Sequence, residues 1–169
     1  MKLHKLTELA LLTALALIIF IIELRIPDLT PIPGVKLGLA NIITVYAVFR
    51  YRPGETAMLV AARLLLGAMF TGNLSALLYS AAGAGLCLLG MLGVKRFIPQ
   101  RYIWLCSVIG AILHNTGQIG AAIVLMRTTA VLTYLPVLLV SGCIAGLFTG
   151  LCAQFTVIRM EKLRPDRHE

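Results

Sequence analysis

Six apolar runs, separated by short breaks of charge, proline and glycine, constrain this chain more than any other feature. They fall at about residues 6–24, 37–49, 56–70, 74–94, 102–126 and 131–158. A helix needs about 20 apolar residues to cross roughly 30 Å of hydrocarbon. A lipid-exposed backbone must satisfy its own polar groups, which leaves helices or closed barrels. Runs this long and continuous read as helices. The expectation is an all-α integral membrane protein, a six-transmembrane-helix bundle forming one domain over residues 1–169. The second run is short enough to be read as partly re-entrant, and Pro136 either kinks the sixth helix or marks its start.

Composition supports lipid as the solvent. Of 169 residues, 59% are hydrophobic and 13% charged, and the mean hydropathy is +0.93; soluble domains average about 45–50% apolar and about 25% charged. The four cysteines, Cys87, Cys106, Cys143 and Cys152, lie inside apolar runs with no CxxC spacing. They read as small packing residues rather than a disulfide framework or a metal site. The first run is too long for a signal-peptide core, and no small-x-small site precedes Glu23 and Arg25, so it reads as a retained helix.

The net charge of +8 is spread over loops rather than along one amphipathic face, which argues against nucleic acid. Alternate loops divide it unevenly. Lys2, Lys5, Arg50, Arg52, Lys95, Arg96, Arg101, Arg159, Lys162, Arg164 and Arg167 fall on one side, against Arg25, Lys36 and Arg127 on the other. The positive-inside rule then places both termini in the cytoplasm.

Ionisable and amide side chains within the runs are the candidates for binding, because they are costly in lipid and face the protein interior. Arg63 lies midway along the third run and needs either a carboxylate, Glu23 or Glu55, or an anionic ligand. His114, Asn115 and Gln118 interrupt the fifth run; His114 and Gln118 share a helical face. They either bind neighbouring helices or line a cavity. Residues 31–41 carry Pro31, Pro33, Gly34, Lys36 and Asn41, a stiff connector or the cover of an outward pocket. Counting Arg25, Lys36, Arg63 and Arg127 against Glu23 and Asp28, a pocket on that side favours an anionic ligand. Gly142, Gly146 and Gly150 repeat every four residues and read as close helix packing. Ala10 and Ala14 form a similar pair on the first helix, suited to packing or to docking a second subunit.

Several enzymes are missing their signatures. The chain has no GK[ST] phosphate loop, no DDxxD cluster for magnesium and a prenyl diphosphate, no nucleophile elbow and no HExxH helix. With seven acidic residues in all, the expectation is a protein that is not an enzyme, with no catalytic residue, metal or cofactor of its own.

Size, six spans, the segment Pro33-Gly34-Val35-Lys36-Leu37-Gly38 and the Ala10-x-x-x-Ala14 pair together resemble the substrate-binding S components of energy-coupling factor (ECF) transporters. The resemblance is closest to the Gx transporter branch, also labelled heptaprenyl diphosphate synthase component I. It implies a subunit of the bacterial cytoplasmic membrane that binds a small anionic, vitamin-like ligand, with a flavin type favoured. Its partners would be a T subunit, docked through Ala10 and Ala14, and two ATPase subunits. Lys36, Asn41, Arg63, His114, Asn115, Gln118 and Arg127 are then the expected ligand-binding residues. The alternatives are a membrane accessory subunit for polyprenyl diphosphate or quinone synthesis, since the magnesium motif of a synthase is missing, and a stand-alone carrier or scaffold.

Overall fold

The computed structural model describes residues 3–25 and 38–162. Within them lie six α-helices: α1 (Leu3–Arg25), α2 (Asn41–Arg50), α3 (Pro53–Thr71), α4 (Leu74–Val94), α5 (Ile103–Met126) and α6 (Leu135–Lys162). Single 3₁₀ turns, Gln100–Tyr102 and Ala130–Tyr134, lead into α5 and α6. No strand occurs among the described residues. Pro136 is the second residue of α6, so the proline stands at the helix start, where its missing N–H costs no hydrogen bond.

Five of the helices, all but α2, are long and apolar enough to cross a membrane. Their outward faces carry Leu11, Met69, Leu89, Val124 and Phe155, each between 70% and 79% exposed. So much exposed apolar surface suits lipid and not water. The helix α2 differs. Its 10 residues rise about 15 Å, half the roughly 30 Å of a hydrocarbon core. The expected second span is therefore a half-length helix, buried among its neighbours: Ile43, Thr44, Val45, Ala47 and Val48 are all buried.

Local chemistry sets the helix ends. Pro53 opens α3 behind Arg52, whose backbone N–H donates to the Glu55 carboxylate at 3.0 Å. Gly72 closes α3 with φ +64°, a left-handed cap that suits glycine. One residue on, the Asn73 side chain accepts from Ala76 N–H at 2.9 Å and starts α4. Arg127 ends α5 with φ +51°.

Two packing styles hold the bundle. The helices α4, α5 and α6 form a tightly packed layer with α5 in the middle. Glycine allows the approach: a Cβ on Gly150 would sit 2.6 Å from the Trp104 Cα, and one on Gly117 would sit 2.8 Å from the Ala82 carbonyl oxygen. Gly146 and Gly142 continue the α6 stripe against Ala111 and Asn115 of α5, so the glycine repeat is helix packing. The helices α1 and α3 pair beside this layer, and α2 touches α1, α3, α4 and α6.

The core is lopsided along the bundle. One cluster joins Val45, Val48, Met91, Ile103, Cys106 and Val157; a second joins Leu9, Ala16, Ala47, Tyr51 and Leu59. Both gather where α1, α3 and α5 begin and where α2, α4 and α6 end. Polar ties brace the same end. Lys5 pairs with Glu55 at 3.0 Å, Tyr51 donates to Glu8 at 3.2 Å, and Lys95 Nζ donates to the Val48 carbonyl at 2.5 Å. Arg50, Arg52, Arg96, Arg101, Arg159 and Lys162 also stand there, which makes this the basic end. Since α2 begins only halfway along the bundle, the opposite end is hollow.

Candidate functional site

A cavity of about 630 Å³ occupies the hollow end, within the roughly 300–1,000 Å³ usual for small-molecule sites. All six helices contribute, from the ends of α1, α3 and α5 and the starts of α2, α4 and α6 down to Met91, Ser107 and Thr149. The start of α2 lies on its wall through Ala40, Asn41 and Val45. At depth, Ser107 of α5 and Thr149 of α6 hydrogen-bond to each other at 3.2 Å and close the seam between those helices.

Arg63 is the cation of this space among the described residues. It comes from the middle of α3, is only 9% exposed, and donates through Nη1 to Asn41 Oδ1 at 3.3 Å. Among the described residues no carboxylate oxygen lies within 4.0 Å of it. Both carboxylates that the sequence offered are engaged elsewhere. Glu55 takes Lys5 and the Arg52 backbone at the basic end. Glu23 lies on the cavity wall, 7% exposed, and its Oε1 accepts the Gly38 backbone N–H. Gly38 itself sits at φ +66°, a left-handed turn that aims its N–H at α1. A guanidinium held this way in a low-dielectric wall is prepared for an anion, which it can grip with two parallel N–H donors.

The opposite wall belongs to α5. His114, Asn115 and Gln118 all line the cavity, half-buried. Asn115 also donates through Nδ2 to the Leu138 carbonyl, tying α5 to the start of α6, so it both binds a neighbouring helix and faces the space. Gly83 of α4 fixes the other two: a Cβ there would meet the Gln118 Cγ at 2.7 Å and the His114 carbonyl oxygen at 2.8 Å. Thus α4 presses His114 and Gln118 into position through an absent side chain.

Of the residues expected from sequence, Asn41, Arg63, His114, Asn115 and Gln118 meet in one cavity. Arg127 stands exposed at the α5 terminus, off the cavity wall. Lys36, with residues 31–37 of the connector, lies outside the described residues. Ala10 and Ala14 lie exposed on the outer face of α1, beside Leu11 and Ile18. The sequence reading missed the α4 wall, where Tyr79, Ser80 and Cys87 face the cavity. A Tyr-Ser pair inside an apolar run was the available signal. Cys87 was read as packing alone; it belongs to the core and also lines the cavity.

No curated protein and no solved structure matches this chain. The family model for heptaprenyl diphosphate synthase component I matches residues 12–156. That range covers all the cavity-lining residues, and the chain belongs to the heptaprenyl diphosphate synthase component I family.

Proposed function

We propose that this protein is a non-catalytic membrane subunit that holds an anionic prenyl lipid, of the prenyl diphosphate class, for a partner that makes polyprenyl diphosphates or quinones. The observation that carries the reading is Arg63, a buried cation that no carboxylate of the described residues contacts, in a cavity whose walls are mainly apolar. An anionic head against Arg63 and an isoprenoid tail against the helices match those two chemistries. The family name supports the isoprenoid class. The condensation itself is assigned to the partner: the chain has seven acidic residues, and among the described ones no three metal-ligating side chains gather.

The test is binding of farnesyl diphosphate, farnesyl monophosphate and farnesol to the protein in nanodiscs, wild type against Arg63→Ala. The expected order follows head charge in the wild type and flattens in the variant. Equal binding of farnesol and the diphosphate by the wild type sinks the reading. Deleting the chain should also lower the output of a co-expressed polyprenyl diphosphate synthase.

A second reading is favoured by the exposed small pair on α1. In it the same cavity belongs to an ECF-type substrate-binding subunit in the bacterial cytoplasmic membrane. The basic end would lie inside, in keeping with the positive-inside rule, and the cavity would open outward to a vitamin-like anion. Ala10 and Ala14 would dock a T subunit carrying two ATPases. Ala10→Leu with Ala14→Leu should then abolish uptake while leaving ligand binding intact; normal uptake by that variant rejects this docking.

A further inference from the structure

Among the described residues, the cavity carries one charge of each sign. Arg63 and Glu23 both line it, both are more than nine-tenths buried, and they do not form an ion pair. Each has a single hydrogen-bond partner among the described residues, Asn41 for Arg63 and the Gly38 backbone for Glu23, and the two charges attract each other without touching. Oε2 of Glu23 receives no hydrogen bond from any described residue.

This arrangement restricts the occupant. A bare anion would satisfy Arg63 and at the same time face the carboxylate, and repulsion between like charges is strong where water is scarce. An occupant that brings a positive charge along with the negative one meets both groups. A diphosphate does so when it travels with a divalent cation. Magnesium suits the geometry in one further respect. It keeps several waters and binds through one or two protein carboxylates plus phosphate oxygens, rather than through a complete protein cage. One free carboxylate oxygen beside a diphosphate is such a site, and it needs no cluster of acidic residues.

We infer that Glu23 ligates a divalent cation carried in by the diphosphate head, while Arg63 grips the phosphate oxygens, so that the cavity accepts the metal complex in preference to the bare anion. This rests on the reading of the cavity as a diphosphate site. It assigns Glu23 the selection of the metal-bound form.

The experiment is farnesyl diphosphate binding to the full chain in nanodiscs, once with Mg²⁺ and once with EDTA, for wild type, Glu23→Gln, Glu23→Asp and Arg63→Ala. Wild type should bind about tenfold or more tightly with Mg²⁺, the scale on which metal-site changes are felt. Glu23→Gln, which keeps an oxygen to accept the Gly38 N–H, should lose that difference and bind the metal-free ligand at least as well as wild type. Glu23→Asp should keep part of the metal dependence, and it carries the test if the Gln variant does not fold. Wild-type binding indifferent to Mg²⁺, or an undiminished Mg²⁺ effect in Glu23→Gln, overturns the role of Glu23 and leaves the diphosphate site standing. No wild-type binding under either condition, or unchanged binding by Arg63→Ala, overturns the site itself and this inference with it.

Discussion

One methyl group at Gly150 tests how the α4–α5–α6 layer is held together. In Gly150→Ala the new Cβ would meet the Trp104 Cα at 2.6 Å and the Ser107 Cβ at 2.7 Å. Ordinary contact begins near 3.4 Å, and the nearest obstacle is backbone, which cannot rotate away. The helices must part by several tenths of an ångström, and a gap of 0.5–1 Å forfeits about a quarter to a half of the dispersion well for the atoms involved. Overpacking of this kind costs about 1–3 kcal/mol. Replacing a helical glycine by alanine returns up to ~1 kcal/mol. Gly85, Gly93 and Gly120 serve as controls, because a Cβ at any of them meets nothing within 4 Å; alanine there is neutral or stabilising. The gap between the two groups is therefore about 1–3 kcal/mol, or ~2–4 °C of melting temperature per kcal/mol for a chain of this size. Thermal unfolding in one detergent measures it, with Gly117→Ala expected to side with Gly150→Ala. If Gly150→Ala melts with the controls, α5 and α6 are not in backbone contact and the packing described is wrong.

Arg63→Met should abolish binding of the anionic ligand, and Arg63→Met combined with Glu23→Gln should leave the empty protein as stable or more so, by up to ~4 kcal/mol, because both buried charges go together; unfolding without ligand, compared with binding, separates the two effects. Thr56 is fully buried and its hydroxyl donates to the Ala47 and Arg52 carbonyls at 3.1 and 3.2 Å, geometrically available as alternatives. Thr56→Val should therefore cost about 1 kcal/mol, whereas Thr44→Val should be neutral or stabilising, since the buried Thr44 hydroxyl has no partner among the described residues. The Tyr51 hydroxyl, beyond the end of α2, is pushed up from 10.0 to about 12 by burial and by the Glu8 carboxylate it bonds. The folded state holds that proton longer than the unfolded one, so its contribution is complete below pH 10 and is lost as pH climbs towards 12. Alkaline unfolding of Tyr51→Phe should show a shallower loss of stability over that window.

Five of the helices were legible because a lipid solvent demands long apolar runs, and their bounds follow caps visible in the sequence, such as Pro53 and Gly72-Asn73. The second was harder to read. Residues 37–49 are apolar enough to suggest a span, but Gly38 turns left-handed and the helix starts only at Asn41. That shortening creates the cavity, and hydropathy shows it only as a run short enough to be read as partly re-entrant. Arg63, His114 and Gln118 stood out because charge and amides are costly in lipid. Glu23 was visible only as a possible partner for Arg63; its bond to Gly38 depends on a turn no periodicity reveals. Gly83 and Gly117 were invisible for a related reason: glycine in an apolar run signals close approach only when the facing helix is known.

Native mass spectrometry of the protein released from mild detergent tests the role of Arg63 most directly. Wild type should carry, one to one, the mass of a phosphorylated prenyl anion, either retained from the cell or taken up from added farnesyl diphosphate, and Arg63→Met should carry none. The same adduct on both proteins, or an empty wild type after incubation, contradicts an anion site at Arg63.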